Sequence, residues 1–126
     1  MQLNKNNAGL AAEKLAATFL ANHGLKLLVQ NYHCRFGEID LIMQDAKTLV
    51  FVEVKLRSSS KFGGAAASIT SQKQQKLILT AQHYLQTHSQ EMHEPACRFD
   101  AILMQGSHLK PADLQHIEWI RNAFET

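Results

Sequence analysis

The segment from Thr48 to Arg57, with the sequence TLVFVEVKLR, constrains the fold more than any other part of the chain. It is rich in β-branched and apolar residues, a composition typical of a β-strand. Side chains of a strand alternate between its two faces. One face therefore carries Val50, Val52, Val54 and Leu56, and the other carries Phe51, Glu53, Lys55 and Arg57. We expect a strand in the interior of a sheet, with one face in the core and the other bearing charge.

Two amphipathic helices are predicted, one before and one after this strand in the sequence. The first runs from Ala8 to His23, and Gly24 ends it. The second is predicted to open with a capping box, in which Ser71 is the cap and Gln74 is its partner. Both have apolar residues at the spacing of one helical face. These buried stripes are Ala12, Leu15, Ala16, Phe19 and Leu20 in the first helix and Leu77, Ile78, Ala81, Tyr84 and Leu85 in the second.

The remaining segments predict further strands, most of them bounded by glycine or by polar turns. Residues 44–47 predict the hairpin loop that leads into Thr48. The predicted ranges are 25–34 for a strand or extended segment, 38–43 for a strand, 98–104 for a strand, and 115–120 for a short strand or turn of helix followed by frayed residues. The order α-β-β-β-α-β-β predicts an α/β fold with a mixed central sheet flanked by helices.

Length and composition are those of one globular domain. The chain has 126 residues, of which 45% are hydrophobic. It has no apolar run of about 18 residues, and its first residues do not resemble a secretory signal. We therefore expect a cytoplasmic protein with no membrane association. Cys34 and Cys97 lie far apart in the sequence, and we expect both to be reduced thiols.

Positive charge is concentrated in one part of the chain. The net charge is only +2, but residues 26–76 contain eight Lys and Arg against four Asp and Glu. Arg57, Lys61, Lys73 and Lys76 follow the charged strand and could contact phosphates, with residues 58–64 as a mobile loop over the substrate. The alternative is a solvated basic surface.

Three charged residues could form one chemical site. Glu53 and Lys55 leave the same face of the strand with Cα atoms about 6.5 Å apart. If strands 38–43 and 48–57 pair antiparallel, Asp40 comes close to Glu53. Neighbouring carboxylates repel each other unless a cation lies between them, and Mg²⁺ prefers hard oxygen ligands. Such a metal could activate a water against a phosphodiester, with Lys55 holding the water or neutralising the developing charge.

The alternative for Glu53 and Lys55 is a structural one. Glu and Lys often alternate on the solvent face of a strand as ion-pair partners. The apolar residues around them favour a functional role, because charge in a central strand is costly without a purpose. The pattern alone leaves both interpretations open.

Several other residues have simpler interpretations. The seven histidines show no spacing that matches a zinc site. Trp119 and Phe124 are expected to cover the core rather than to stack on bases. Asp100 is expected to pair with Arg98 or with a neighbouring strand, outside the catalytic set.

Two stretches of the sequence resemble a known family. FGEIDLI at residues 36–42 and VFVEVKLR at residues 50–57 closely resemble the signatures of the bacterial YraN-type proteins, and the resemblance covers nearly the whole chain. It continues with Gly9, Glu13, Asn31, Gly63, Lys73, Ala81, Tyr84-Leu85 and Arg98-Phe99-Asp100. One departure is Ala12, where relatives usually have a second glycine before the glutamate of the first helix.

The resemblance implies a fold and a set of site residues. The YraN-type family is similar in pattern to archaeal Holliday-junction resolvases and other PD-(D/E)XK nucleases, which implies a restriction-endonuclease-like three-layer core. By this resemblance, Asp40, Glu53 and the Val54 carbonyl would bind Mg²⁺ or Mn²⁺. Lys55 would be the catalytic lysine, and Glu13 would be an additional acid on the first helix.

Two functions follow as hypotheses. The first is a metal-dependent endonuclease that acts on DNA, with branched DNA in repair or recombination as a candidate substrate. The second is a non-catalytic nucleic-acid-binding or protein-interaction module that retains the nuclease fold. Because one small domain covers little of a branched DNA, we also expect a homodimer or a larger partner.

Overall fold

The fold consists of two helices and five strands in the order that the sequence predicts. The structure is a computed structural model, and it describes residues 7–57, 69–88, 95–105 and 117–125. The elements are α1 (Asn7–Asn22), β1 (Lys26–Cys34), β2 (Gly37–Asp45), β3 (Thr48–Arg57), α2 (Ser71–His88), β4 (Cys97–Gln105) and β5 (Glu118–Phe124). The order α-β-β-β-α-β-β is confirmed. No helix in these ranges is both long and apolar enough to span a bilayer.

The strands form one mixed sheet in the order β1-β2-β3-β4-β5. Neighbouring strands pair antiparallel except β3 and β4, which are parallel. The chain between these two parallel strands includes α2, because parallel neighbours need a crossover connection. The apolar strand β3 is central, as its composition predicts, and β2 is its antiparallel neighbour on one side.

Each face of the sheet is covered by one helix. Ala12, Ala16 and Leu20 of α1 share a buried cluster with Val50 and Val52 of β3. Leu77, Ala81 and Tyr84 of α2 share another with Phe51 of β3 and Phe99 of β4. Since Phe51 alternates with Val50 and Val52, the two helices lie on opposite faces. The fold therefore has three layers, with the sheet in the middle.

The alternation predicted for β3 is correct, but one expectation drawn from it is wrong. One face was expected to lie in the core, and the face that carries Phe51 and Glu53 was expected to bear charge instead of core residues. Phe51 is buried beneath α2, and Glu53 is only 6% exposed. The reason is that a helix covers this face too, which alternation along one strand does not reveal.

Local interactions determine where α1 ends and where α2 begins. Gly24, with a φ of 93°, ends α1 as predicted: its N–H donates to the Ala21 carbonyl, and the Leu25 N–H donates to the Leu20 carbonyl. The prediction for the start of α2 is wrong by one residue. Thr70, not Ser71, is the cap, because its Oγ1 accepts a hydrogen bond from the Lys73 N–H at 3.1 Å.

Strand β5 differs from the prediction in its bounds. It runs over Glu118–Phe124, whereas a short element at 115–120 and frayed residues beyond it were expected. Residues 106–116 lie outside the described ranges. Phe124 pairs with Phe99 and packs against the core, and Trp119 packs against the other buried cluster, as expected for both.

A buried carboxylate explains the added length of β5. Asp100, whose side chain is 0% exposed, accepts hydrogen bonds from Arg98 Nε, from Trp119 Nε1 at 2.9 Å and from the Asn122 N–H at 3.0 Å. The register of β4 and β5 shifts at this position. The predicted pairing of Asp100 with Arg98 is confirmed, and its role is to hold β5 on β4.

We expect Asp100→Ala to lower the free energy of unfolding by about 3–5 kcal/mol, since it removes a buried carboxylate that accepts hydrogen bonds from Arg98 Nε, the Trp119 side chain and the Asn122 N–H. Asp45→Ala is the matched control, because Asp45 contacts the same Arg98 but is 35% exposed. Its cost should be about 1 kcal/mol or less. Urea unfolding measures both, and equal costs for the two variants would contradict this role of Asp100.

Candidate active site

The candidate site begins where β2 and β3 stop pairing. Their register runs from Asp45–Thr48 to Leu41–Val52 in the described residues, while β3 stays paired with β4 as far as Arg57. Beyond Leu41, the Asp40 side chain takes over: its Oδ2 accepts a hydrogen bond from the Val54 N–H at 2.8 Å. A carboxylate therefore stands beside β3 at the position where main-chain pairing with β2 ends.

A cleft of about 270 Å³ opens at this position. It is bordered by both helices and by the two separating strands, so side chains from both faces of the sheet reach it. Its lining residues are Gly9, Ala12, Glu13, Glu38, Asp40, Glu53, Val54, Lys55, Leu56 and Lys73. All four residues predicted as catalytic, which are Asp40, Glu53, Lys55 and Glu13, thus lie around one cleft. The condition set for Asp40 is met, because β2 and β3 do pair antiparallel.

Two carboxylates are buried side by side in this cleft. Asp40 and Glu53 are each 6% exposed. Burial raises the pKa of Glu53 above its ordinary value of 4.5, and the charge of Asp40 raises it further. The hydrogen bond and charge of Lys73, and the charge of Lys55, oppose that rise in pKa only in part. The cleft is therefore a place where additional positive charge would be favourable.

Lys73 reaches Glu53 from the first turn of α2. Its Nζ lies 2.6 Å from Glu53 Oε2, and the Lys73 side chain is 44% exposed. Burial lowers the pKa of Lys73, but the hydrogen bond to Glu53 and the charges of Glu53, Asp40 and Glu38 outweigh it and raise that pKa overall. Sequence analysis assigned Lys73 only to phosphate contact. The ion pair between Lys73 and Glu53 was not predicted, because no pattern in the sequence indicates that the crossover places the start of α2 beside β3.

Of the other predicted basic residues, Lys76 is the one whose side chain the structure describes, and it does not line the cleft. Lys76 is exposed, one helical turn beyond Lys73. Arg57 ends β3, but its side chain lies outside the described part of the chain, as does Lys61 with the whole predicted loop 58–64. Their predicted contacts with phosphates stay predictions.

Glu13 is held in the cleft by a residue to which the sequence analysis gave no role. Glu13 is 1% exposed, and its Oε1 accepts a hydrogen bond from Asn31 Nδ2 at 2.7 Å. Asn31 has a left-handed φ of 57° and lies in β1 between Gln30, which pairs with Leu41 of β2, and Tyr32, which pairs with Ile39. Left-handed backbone is uncommon outside glycine and asparagine. The sequence signals of this position were an asparagine within a predicted strand and its place among the residues that carry the family resemblance.

The donor atoms of the cleft fit a hard divalent cation. Among residues 7–57, 69–88, 95–105 and 117–125, no three His, Cys, Asp or Glu side chains form a ready metal-binding group, and His93 lies outside these ranges. The cleft instead offers two adjacent carboxylates. Mg²⁺ characteristically uses one or two carboxylates and keeps several waters. The residues present therefore suit Mg²⁺ or Mn²⁺ better than zinc.

We expect Glu53→Gln to be more stable than the wild type at pH 8 in the presence of EDTA. Because the pKa of Glu53 is raised in the fold, its protonated form stabilises the protein below pH 4.5, and this stabilisation is lost as the pH rises through the raised pKa. Glutamine carries no charge at any of these pH values. Thermal melting from pH 4 to pH 8 should show a difference that shrinks toward pH 4. A variant that is less stable than the wild type at pH 8 would contradict this electrostatic account.

Comparisons with known proteins identify the family. The sequence model described as "Uncharacterised protein family UPF0102" matches residues 12–104. A UPF0102 protein of Nitrosomonas europaea is 56% identical over 119 residues, covering 94% of this chain and 94% of the relative. One of Psychromonas ingrahamii is 52% identical over 120 residues, covering 95% and 91%. With a matched range that includes every acid of the cleft and similarity along nearly the full length, this chain belongs to the UPF0102 family.

Proposed function

We propose that this protein is a divalent-metal-dependent endonuclease that hydrolyses phosphodiester bonds in DNA. The observation that carries the proposal is the buried pair Asp40 and Glu53, which shares one cleft with Lys55 where β2 and β3 separate. Buried like charges are unfavourable for stability unless a cation compensates them. Their presence in a cleft is best accounted for by the binding of a cation that takes part in function.

In this proposal the chain supplies three oxygen donors to the metal. Asp40 and Glu53 provide carboxylates, and Val54 provides its main-chain carbonyl. In an extended strand the N–H and C=O of one residue point to the same side. Since the Val54 N–H donates to Asp40, the Val54 carbonyl is directed toward the same edge of β3. When bound, Mg²⁺ or Mn²⁺ would lower the pKa of a water and offset charge on the phosphodiester.

Lys55 and Glu13 complete the proposed machinery. Lys55 is two residues from Glu53 on β3 and lines the same cleft, so its ammonium can hold the attacking water or neutralise the charge that develops on the phosphate oxygens. Glu13, fixed by Asn31, approaches from α1. It is the additional acid that the resemblance to PD-(D/E)XK nucleases assigns to the first helix.

DNA is proposed as the substrate on charge and resemblance together. Residues 26–76 contain the acids of β2 and β3 but also eight Lys and Arg, which suits a polyanion that must approach carboxylates. The resemblance to Holliday-junction resolvases favours branched DNA. A homodimer or a larger partner is part of this proposal, since a specific nucleic-acid surface often buries about 1,000 Å² or more.

A second candidate function is a non-catalytic nucleic-acid-binding module on the same fold. The observation that favours it is the Lys73–Glu53 ion pair, which already gives Glu53 a cationic partner within the chain. Such a module would bind DNA through its basic residues and would not need Lys55 for chemistry. Cleavage assays separate the two candidates.

The test is cleavage of labelled duplex, flap, single-stranded and four-way-junction DNA in Mg²⁺ or Mn²⁺. We expect Asp40→Asn and Lys55→Met each to reduce the rate by about 100-fold or more, since removing one group that stabilises a transition state commonly costs about 10²–10³. Asp45→Asn is the matched control on β2, at the opposite end of the strand, and should cleave like the wild type.

The other outcomes also decide between the candidates. A folded wild type that binds DNA but cuts none of the four substrates supports the binding module. A folded wild type that neither cuts DNA, binds DNA nor takes up metal excludes the endonuclease. Cleavage that survives both Asp40→Asn and Lys55→Met would place the activity elsewhere or in a contaminant.

A further inference from the structure

The contact between Lys73 and Glu53 joins the helix to the acids of the cleft. Lys73 Nζ lies 2.6 Å from Glu53 Oε2, which is the distance of a direct, charge-assisted hydrogen bond. The Glu53 side chain is 8% exposed, while that of Lys73 is 44% exposed. The ammonium therefore reaches into the cleft from a side chain whose remaining surface faces solvent.

A divalent cation on Glu53 would compete with this ammonium. Mg²⁺ lies about 2.0–2.1 Å from its carboxylate oxygens and requires a nearly octahedral arrangement of ligands. Two cations that share one carboxylate repel each other, and solvent screens this repulsion only in part because Glu53 is 6% exposed. The flexible four-carbon stem of lysine allows Lys73 to leave Glu53 without any movement of the helix backbone.

We propose that Lys73 is an exchangeable counter-ion of Glu53: a divalent cation displaces it, and the released ammonium then binds a DNA phosphate at the mouth of the cleft. This inference rests on the proposed function and adds a regulatory step to it. Metal and DNA binding are thereby coupled, because DNA gains a positive contact only after the metal has bound. Without metal, Lys73 is held by Glu53 and contributes little to DNA binding.

Two other lysines help to define this role. Lys55 acts on Glu53 through its charge, and it is anchored on the same strand two residues away. Lys76 is exposed one turn beyond Lys73 on α2, and it is not among the described residues that line the cleft or whose charge acts on Glu53. Lys76 has the same charge on the same helix without the contact. It is therefore the matched control for Lys73.

The first measurement is calorimetric titration of the protein with Mn²⁺ alone. We expect Lys73→Met to bind Mn²⁺ more tightly than the wild type by at least about fivefold, the lower end of common coupling between two ligands. Lys73→Gln can still donate a hydrogen bond to Glu53 and should give an intermediate Kd. Lys76→Met should stay within about twofold of the wild type. Circular dichroism confirms that each variant is folded.

The second measurement is the affinity for a labelled four-way junction by fluorescence anisotropy, in a Lys55→Met background that prevents turnover. We expect the further change Lys73→Met to weaken DNA binding at least about fivefold in Mn²⁺ and less than about twofold in EDTA. The further change Lys76→Met should have the same effect in both conditions. This difference in metal dependence separates an exchanged lysine from one that simply contributes positive charge.

The outcomes distinguish this inference from the function on which it rests. If the wild type binds no Mn²⁺, the proposed metal-dependent function fails and the exchange fails with it. If the wild type binds Mn²⁺ but Lys73→Met leaves the Mn²⁺ Kd unchanged, Lys73 is a fixed partner of Glu53 and only the exchange is overturned. A Lys73→Met effect on DNA affinity that is equal in Mn²⁺ and in EDTA would overturn it as well.

Discussion

The hydrogen bond from the Val54 N–H to Asp40 Oδ2 is the interaction on which the site depends. It lies where the pairing of β2 with β3 ends, and it fixes a carboxylate beside β3 in place of a main-chain partner. This arrangement allows the two strands to separate without leaving the Val54 N–H unsatisfied, which would be costly inside the protein. The cleft forms in that separation. Asp40 therefore has a structural contact and a position beside Glu53 at the same time.

The three-layer fold explains why residues distant in sequence meet in this cleft. Helix α1 covers one face of the sheet and provides Glu13, whereas α2 covers the other face and provides Lys73. In the closed part of the sheet these two faces are isolated from each other. Where β2 and β3 separate, side chains from both faces reach the same cleft, so both helices contribute to one site. The parallel pairing of β3 with β4 matters here, because its crossover is the segment that contains α2.

Most of the fold and part of the site follow from local patterns in the sequence. The bounds of β3 were predicted correctly because alternation and composition agree over the whole strand, and the proximity of Asp40 to Glu53 followed from a short hairpin. The misses have physical causes. The cap of α2 shifted by one residue because two neighbouring residues, Thr70 and Ser71, can both cap a helix. The length of β5 depends on Asp100, which is far from it in sequence.

Contacts between elements that are far apart in the sequence could not be predicted from sequence patterns. The burial of Glu53 requires α2 to lie over its face of β3, and the pairs Lys73–Glu53 and Asn31–Glu13 require specific rotations of two helices. Periodicity reports which face of an element is apolar, not which element covers it. For this reason Asp40 and Glu53 could be predicted as a pair from the sequence pattern, whereas Glu38 was missed, and Lys73 and Asn31 could not be recognised as the partners of Glu53 and Glu13.

The most direct test of the central claim is a crystal structure of the protein grown with Mn²⁺, with the metal located by its anomalous scattering. The account predicts a strong anomalous peak in the cleft, about 2.1 Å from carboxylate oxygens of both Asp40 and Glu53. A well-ordered cleft with no peak at high Mn²⁺, or a peak bound only by histidines elsewhere on the chain, would contradict it.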